Sequence, residues 1–181
     1  MNQNGLIALL RNRVVEALAE KGWADFEVSQ KFQPTQQGVP VRNGVFIQPM
    51  VDYRHGFPGQ NLMYNSVNQE FDSKEPQVME TPFQISVLSV QEIDTPEAPT
   101  SADVSKYLAR ALSSQVTVEK FMAQNVGILR IKDSRNDPFL DDRDRSEYHS
   151  NFDITLTHVD DYDMTVPQID KVQGNIYPVQ P

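Results

Sequence analysis

The densest cluster of charge in the chain is Asp141-Asp142-Arg143-Asp144-Arg145. Its three carboxylates offer the hard oxygen ligands that Mg²⁺ or Ca²⁺ prefer. The segment lacks the turn glycine and the closing glutamate of an EF-hand loop, and its two arginines neutralise part of the charge. A solvated or intersubunit ion-pair segment is therefore the favoured reading, and a metal site the competing one. Asp160, Asp161 and Asp163, set around Tyr162 just past the last expected strand, pose the same choice. They could coordinate a cation or face an arginine on another chain, but a polar strand end accounts for them more simply.

The three histidines, His55, His149 and His158, fit no metal-ligand spacing. His149 and His158 flank one expected strand at an odd separation, which puts them on opposite sheet faces and argues against a shared site. All three read as surface or strand-end histidines. No serine sits in a nucleophile elbow, and no glycine pattern cradles a phosphate. There is no cysteine, which excludes disulfides, Cys-based zinc sites, iron–sulfur clusters and thiol catalysis. No pattern supports an enzyme, and no catalytic, cofactor-binding or metal site is expected. Trp23 reads as a packing anchor.

The wider chain sets limits of its own. Its 181 residues suit one domain with an appended arm better than two domains. With 39% apolar and 23% charged residues, wholesale disorder is excluded. The net charge of −9 argues against nonspecific duplex binding, which works by releasing counterions to Lys and Arg. Acidity is concentrated in the second half: residues 1–90 carry a net −2 and residues 91–181 a net −7. Met1 to Gly22 is interrupted by Arg11, Arg13, Glu16 and Glu20 and does not read as a signal peptide. No stretch is apolar for long enough to span a bilayer, so a protein soluble where it is made is expected.

Leu6, Ile7, Leu10, Val14 and Leu18 fall at helical spacing, and Lys21-Gly22 is a good stop, so a helix is expected over about 3–21. Residues 28–43 read as loop. A strand follows over about 44–54, made an edge, bulged or broken strand by Pro49. Residues 55–75 are polar and rich in Gly, Asn and Gln, and read as a long loop. From 76 to 93 the pattern is β, with Phe83, Ile85 and Val87 alternating and a slip of phase at Leu88 that suggests a bulge or a long bent strand. Thr100 and Asp103 resemble a capping box ahead of Val104, Tyr107, Leu108, Ala111 and Leu112, an amphipathic helix. A short helix over 117–124, a strand over 127–132, a charged loop over 133–148 and a strand carrying Phe152, Ile154 and Leu156 complete the order. Residues 164–181, with Pro167, Pro178 and Pro181, read as an extended tail.

The result is an α+β fold: a mainly antiparallel sheet flanked by an N-terminal and a central helix, with long loops. Residues 1–163 form its single domain and 164–181 a C-terminal arm. Long loops and a proline-bearing tail cost entropy to order unless something binds them, which is the economy of a subunit completed by its neighbours.

The run of elements resembles a known group. A short helix precedes Asn43-Gly44-Val45-Phe46-Ile47-Gln48, and a long β segment, Glu80-Thr81-Pro82-Phe83-Gln84-Ile85-Ser86-Val87, leads to the helix from Asp103 to Leu112. Val126-Gly127-Ile128-Leu129-Arg130-Ile131 then enters a loop with Asp137-Pro138, and Glu147-Tyr148 and Phe152-Asp153-Ile154-Thr155-Leu156-Thr157 close the pattern. Over roughly residues 3–160 this resembles the small neck and tail-completion proteins of tailed bacteriophages, in particular the tail terminators.

The resemblance implies a virion structural protein at the head–tail junction, made in the host cytoplasm. It implies a ring, typically a hexamer, that caps the tail tube and joins it to the head connector or a head-completion protein, with sheath proteins as further neighbours. DNA passes through without specific binding, no membrane is involved, and the family has no catalytic residues to carry over. A collar, gateway or head-completion subunit is the alternative within the neck. In such a ring an acidic lumen repels DNA phosphates, which makes Asp141, Asp142 and Asp144 candidates to face the channel or a neighbouring ring. An assembly adaptor that never enters the particle, and a small hydrolase with a carboxylate-bound metal at 141–144 or 160–163, are the competing functions.

Overall fold

A computed structural model describes residues 2–31, 43–89, 97–140 and 146–167. The chain opens with α1 (Gln3–Lys21). The Asn2 side chain caps it by accepting from the Gly5 N–H at 2.9 Å, and Gly22 ends it in the left-handed conformation at φ +83°. Its apolar stripe, Leu6, Leu10, Val14, Ala17 and Leu18, is fully buried. Arg13 is buried with it rather than solvated. Its Nε donates to Thr117 Oγ1 at 2.7 Å and its guanidinium meets Glu20 Oε1 at 2.9 Å, so the charge is paired as it leaves water.

The strands are β1 (Glu27–Gln30), β2 (Gly44–Pro49), β3 (Tyr53–His55), β4 (Asn61–Asn65) and β5 (Glu70–Leu88). Two helices follow, α2 (Ser101–Leu112) and α3 (Gln115–Met122), then β6 (Gly127–Ile131), β7 (Arg135–Leu140) and β8 (Ser146–Pro167). Thr100 and Asp103 do form a capping box at the start of α2. The eight strands among the described residues join one sheet, with the path β1-β2-β5-β8-β6. Among the described residues only β1 and β2 pair in parallel; the other pairings are antiparallel. The expected α+β class holds.

The spine of the sheet is the β5–β8 pair. It runs in unbroken register from Glu70↔Pro167 to Val87↔Ser150, which is 18 residue pairs. At the usual strand rise that is about 60 Å. The other edge of β5 is taken in turn by β2, β3 and β4, and the other edge of β8 by β6 and β7.

One core cluster joins α1, α2 and α3 to one sheet face. From the sheet it takes Val45, Ile47, Phe83, Ile85, Val87, Phe152, Ile154 and Leu156; from α2, Val104, Leu108 and Leu112; from α3, Phe121. Trp23 packs edge-on against Tyr107, ring centroids 5.3 Å apart, as an anchor between α1 and α2.

Several expectations are corrected. Residues 55–75 are not a structureless loop: they hold the end of β3, all of β4 and the start of β5. Their backbone is satisfied by the long β5 edge, so the ladder needs no apolar periodicity to form. Residues 133–148 likewise contain β7 and the start of β8. Residues 28–30 belong to β1, too short a strand to show a period. Of the two readings of the slip at Leu88, the long strand is found: β5 runs 19 residues and ends there, while the register shift lies in β6, between Ile128 and Arg130. Pro49 ends β2, and the Met50 N–H then bonds the Pro82 carbonyl at 2.9 Å before β3 resumes on the same edge. Residues 164–167 are strand, and 168–181 lie outside the described residues.

Candidate assembly surface

The helices set how much of the spine can be covered. At 1.5 Å per residue α1 is about 28 Å long and α2 about 18 Å, against about 60 Å of paired strand. They cover the half from Thr81 to Val87 of β5 and from Ser150 to Leu156 of β8, where Phe83, Ile85, Phe152 and Ile154 are sealed from solvent. The other half, Glu70 to Met79 with His158 to Pro167, runs on past them, joined by β3 and β4. We call this half the arm.

The two faces of the arm differ. Directly opposed residues share a face, and alternate residues along a strand share it too. The face continuous with the core carries Leu62, Tyr64, Phe71, Tyr162, Met164 and Val166. All six are exposed; Leu62 is at 60%, Tyr162 at 62% and Met164 at 42%. Tyr64 and Phe71 pair across the ladder with centroids 5.2 Å apart. Ser73, between Leu62 and Met164 in the register, is buried by its flanking side chains. The opposite face carries Asn61, Asp72, Lys74, Asp161 and Asp163 among apolar neighbours, with Lys74 Nζ 4.0 Å from Asp163 Oδ1. Among the described residues no helix covers these six core-type side chains, and exposed apolar patches of this kind are typical of interaction sites.

The arm is strongly acidic. Residues 53–80 and 157–167 hold seven acids and two bases, a net −5. It is tied internally: Gln77 Nε2 donates to the His55 carbonyl at 3.0 Å, the Gly59 N–H donates to the Pro76 carbonyl at 2.9 Å, and His55 Nδ1 lies 3.2 Å from Glu80 Oε1. At its root, buried Thr81 Oγ1 and His158 Nε2 are 3.2 Å apart, a polar contact where the covered half gives way to the open one.

Asp160, Asp161 and Asp163 are thus within β8, not past it, and all are exposed. Among the described residues no group of three or more His, Asp or Glu could hold a metal ion. His55 is exposed at the arm, while His149 and His158 stand on opposite faces of β8. His158 is a buried mid-strand residue rather than a surface one. Asp141, Asp142 and Asp144 lie outside the described residues, in the connection between β7 and β8. The apolar face of the arm is what sequence reasoning missed. Its signal was present: Tyr162, Met164 and Val166 alternate, as do Leu62 and Tyr64.

The electrostatics around the helices are those of paired surface groups. The Glu16 carboxyl is held below its ordinary range mainly by its hydrogen bond with Lys120, 2.6 Å away. Asp103 is lowered by the Thr100 hydroxyl and backbone N–H of the capping box. Among the described residues no helix is long and apolar enough to cross a membrane.

The family model described as E217 gateway protein gp29 matches residues 5–168, from the first turn of α1 past the end of β8, and so takes in the whole arm. No curated protein matches the chain. A solved structure described as the sheath/tube terminator of an extracellular contractile injection system, PVC, in the extended state, aligns at 7% identity with a TM-score of 0.37. That alignment covers 96% of this chain, which spans 64% of the length of the other.

Proposed function

The chain belongs to the family of the E217 gateway protein gp29, a family of phage structural proteins, and on that premise we propose that it is a subunit of the phage neck. The resemblance pointed to the tail terminator, with a collar, gateway or head-completion subunit as the alternative; the matching family is described by its gateway member. In this reading the subunits close into a ring, with six as the expected number, between the tail tube and the head connector, and DNA passes through the ring without being held.

The observation that carries the reading is the arm. A face with core-type side chains and no cover within its own chain, among the described residues, is the mark of a part finished by assembly. Its six side chains are about half exposed, so covering them is worth of order 1 kcal/mol each, about 5 kcal/mol in all. That is comparable with the cost of associating two proteins. One such contact is therefore weak alone, and strong when ring closure or a tube template adds others. A subunit that is monomeric in solution and ordered in the particle follows from these magnitudes.

We propose further that Asp141, Asp142 and Asp144 face the channel or a neighbouring ring, where their charge would repel DNA phosphates or meet cations. Normal assembly and infectivity in the triple Asn variant would remove that assignment.

The test of the main reading is gold labelling of the protein on purified particles by electron microscopy. Label at the head–tail junction is expected. Particles without label, with the epitope shown to be accessible, would discard the neck role in favour of an adaptor that leaves before completion.

A further inference from the structure

Resting on the neck reading, we infer that the arm of one copy seats on the groove between α2 and β6 of the next copy. The arm's apolar face ends toward its root in two acids, Glu75 and Asp160, which project from the same face as Tyr162 and Met164. Whatever covers that face must offer an apolar floor with cations beside it. This chain carries such a surface.

A groove of about 330 Å³ lies between α2 and the end of β6. Ala109 and Ile131 contribute its apolar part, and Lys106, Arg110 and Lys132 line it, with Asp133 at its end. Lys132 is bonded to Asp153 at 3.0 Å. Lys106 and Arg110 make no ion pair within 4 Å among the described residues. Their charge is opposite to that of Glu75 and Asp160 on the apolar face of the arm, whose net charge is −5. The groove also borders β6, which ends the sheet path. Arm and groove are different patches on one molecule, so the contact is heterologous and propagates from copy to copy until it closes.

The absence of cysteine in the native chain makes the test clean. The double variant D160C/K106C is incorporated into particles, oxidised mildly, and run without reductant. A ladder of covalent multimers is expected, and neither single variant should give one. Incorporation without a ladder overturns the arm-in-groove contact while leaving the neck role standing. Wild-type protein absent from particles overturns the neck role and this inference with it.

Should the cysteine variant fail to fold, charge exchange replaces it. E75K/D160K should lower incorporation at least tenfold, and adding K106E/R110E in the same chain should restore it. Loss without restoration overturns the contact.

Discussion

Between Thr81 and Val87 the β5–β8 pair lies under α2, with α1 over β1 and β2 and α3 against β6, and its inward side chains are sealed in one core. Between Glu70 and Met79 the same two strands, in the same register, carry Phe71, Tyr162, Met164 and Val166 on the same face into solvent. The backbone pairing is equally regular in both halves. What differs is length: the strands outrun the helices that could cover them. A strand ladder satisfies its own hydrogen bonds, so it can extend past its core; an apolar face cannot satisfy itself. The covered half is sealed within the chain; among the described residues the open half is not.

Mutations should separate the halves. Phe83→Ala empties a fully buried site in the covered half and should cost about 3–5 kcal/mol in urea unfolding. A loss under about 1 kcal/mol there would mean that this core is not what holds the fold. Thr100→Ala removes the cap that starts α2 and should cost about 1 kcal/mol by the same measurement. In the open half, Tyr162→Ser with Met164→Ser should change stability by about 0.5 kcal/mol or less, as surface changes do. The same pair should abolish incorporation into particles, and a large loss of stability instead would show that the arm is covered within its own chain. Hydrogen exchange should draw the boundary directly, with amides of 81–88 protected more strongly than those of 70–79 in the free subunit.

The smallest effect concerns pH. Glu16 has a lowered carboxyl pKa in the fold, so its contribution is present above its unfolded value and is lost as pH falls through the folded one. Glu16→Gln should therefore melt slightly below wild type at neutral pH, and the difference should close in acid. A gap that widens in acid would contradict the Lys120 pairing. Asp103 in the capping box carries the same sign.

What could be read in advance follows physical locality. The stop at Lys21-Gly22, the capping box at Thr100 and Asp103, and the alternation of Phe152, Ile154 and Leu156 are local signals, and each appears in place. The resemblance to phage neck proteins rested on the same local texture, and the family match agrees with it. The segment 55–75 reads as loop because its residues are polar, yet its strands form on an edge that β5 provides from a distance. Tyr162, Met164 and Val166 showed a clear period, but the acids among them and Pro167 after them read as the end of a strand.

The sequence by itself determined the limits of α1 and α2, the core-facing positions and the lack of thiol chemistry, because these depend on residue type and on neighbours a few positions away, whereas α3 begins two residues earlier than expected. Only the tertiary structure decided that β5 and β8 pair far beyond the helices, that Arg13 and His158 are buried, and that an apolar arm face is left open among the described residues. Those depend on how long one element is against another and on which side of the sheet the helices lie. Such quantities exist only once distant parts of the chain have met.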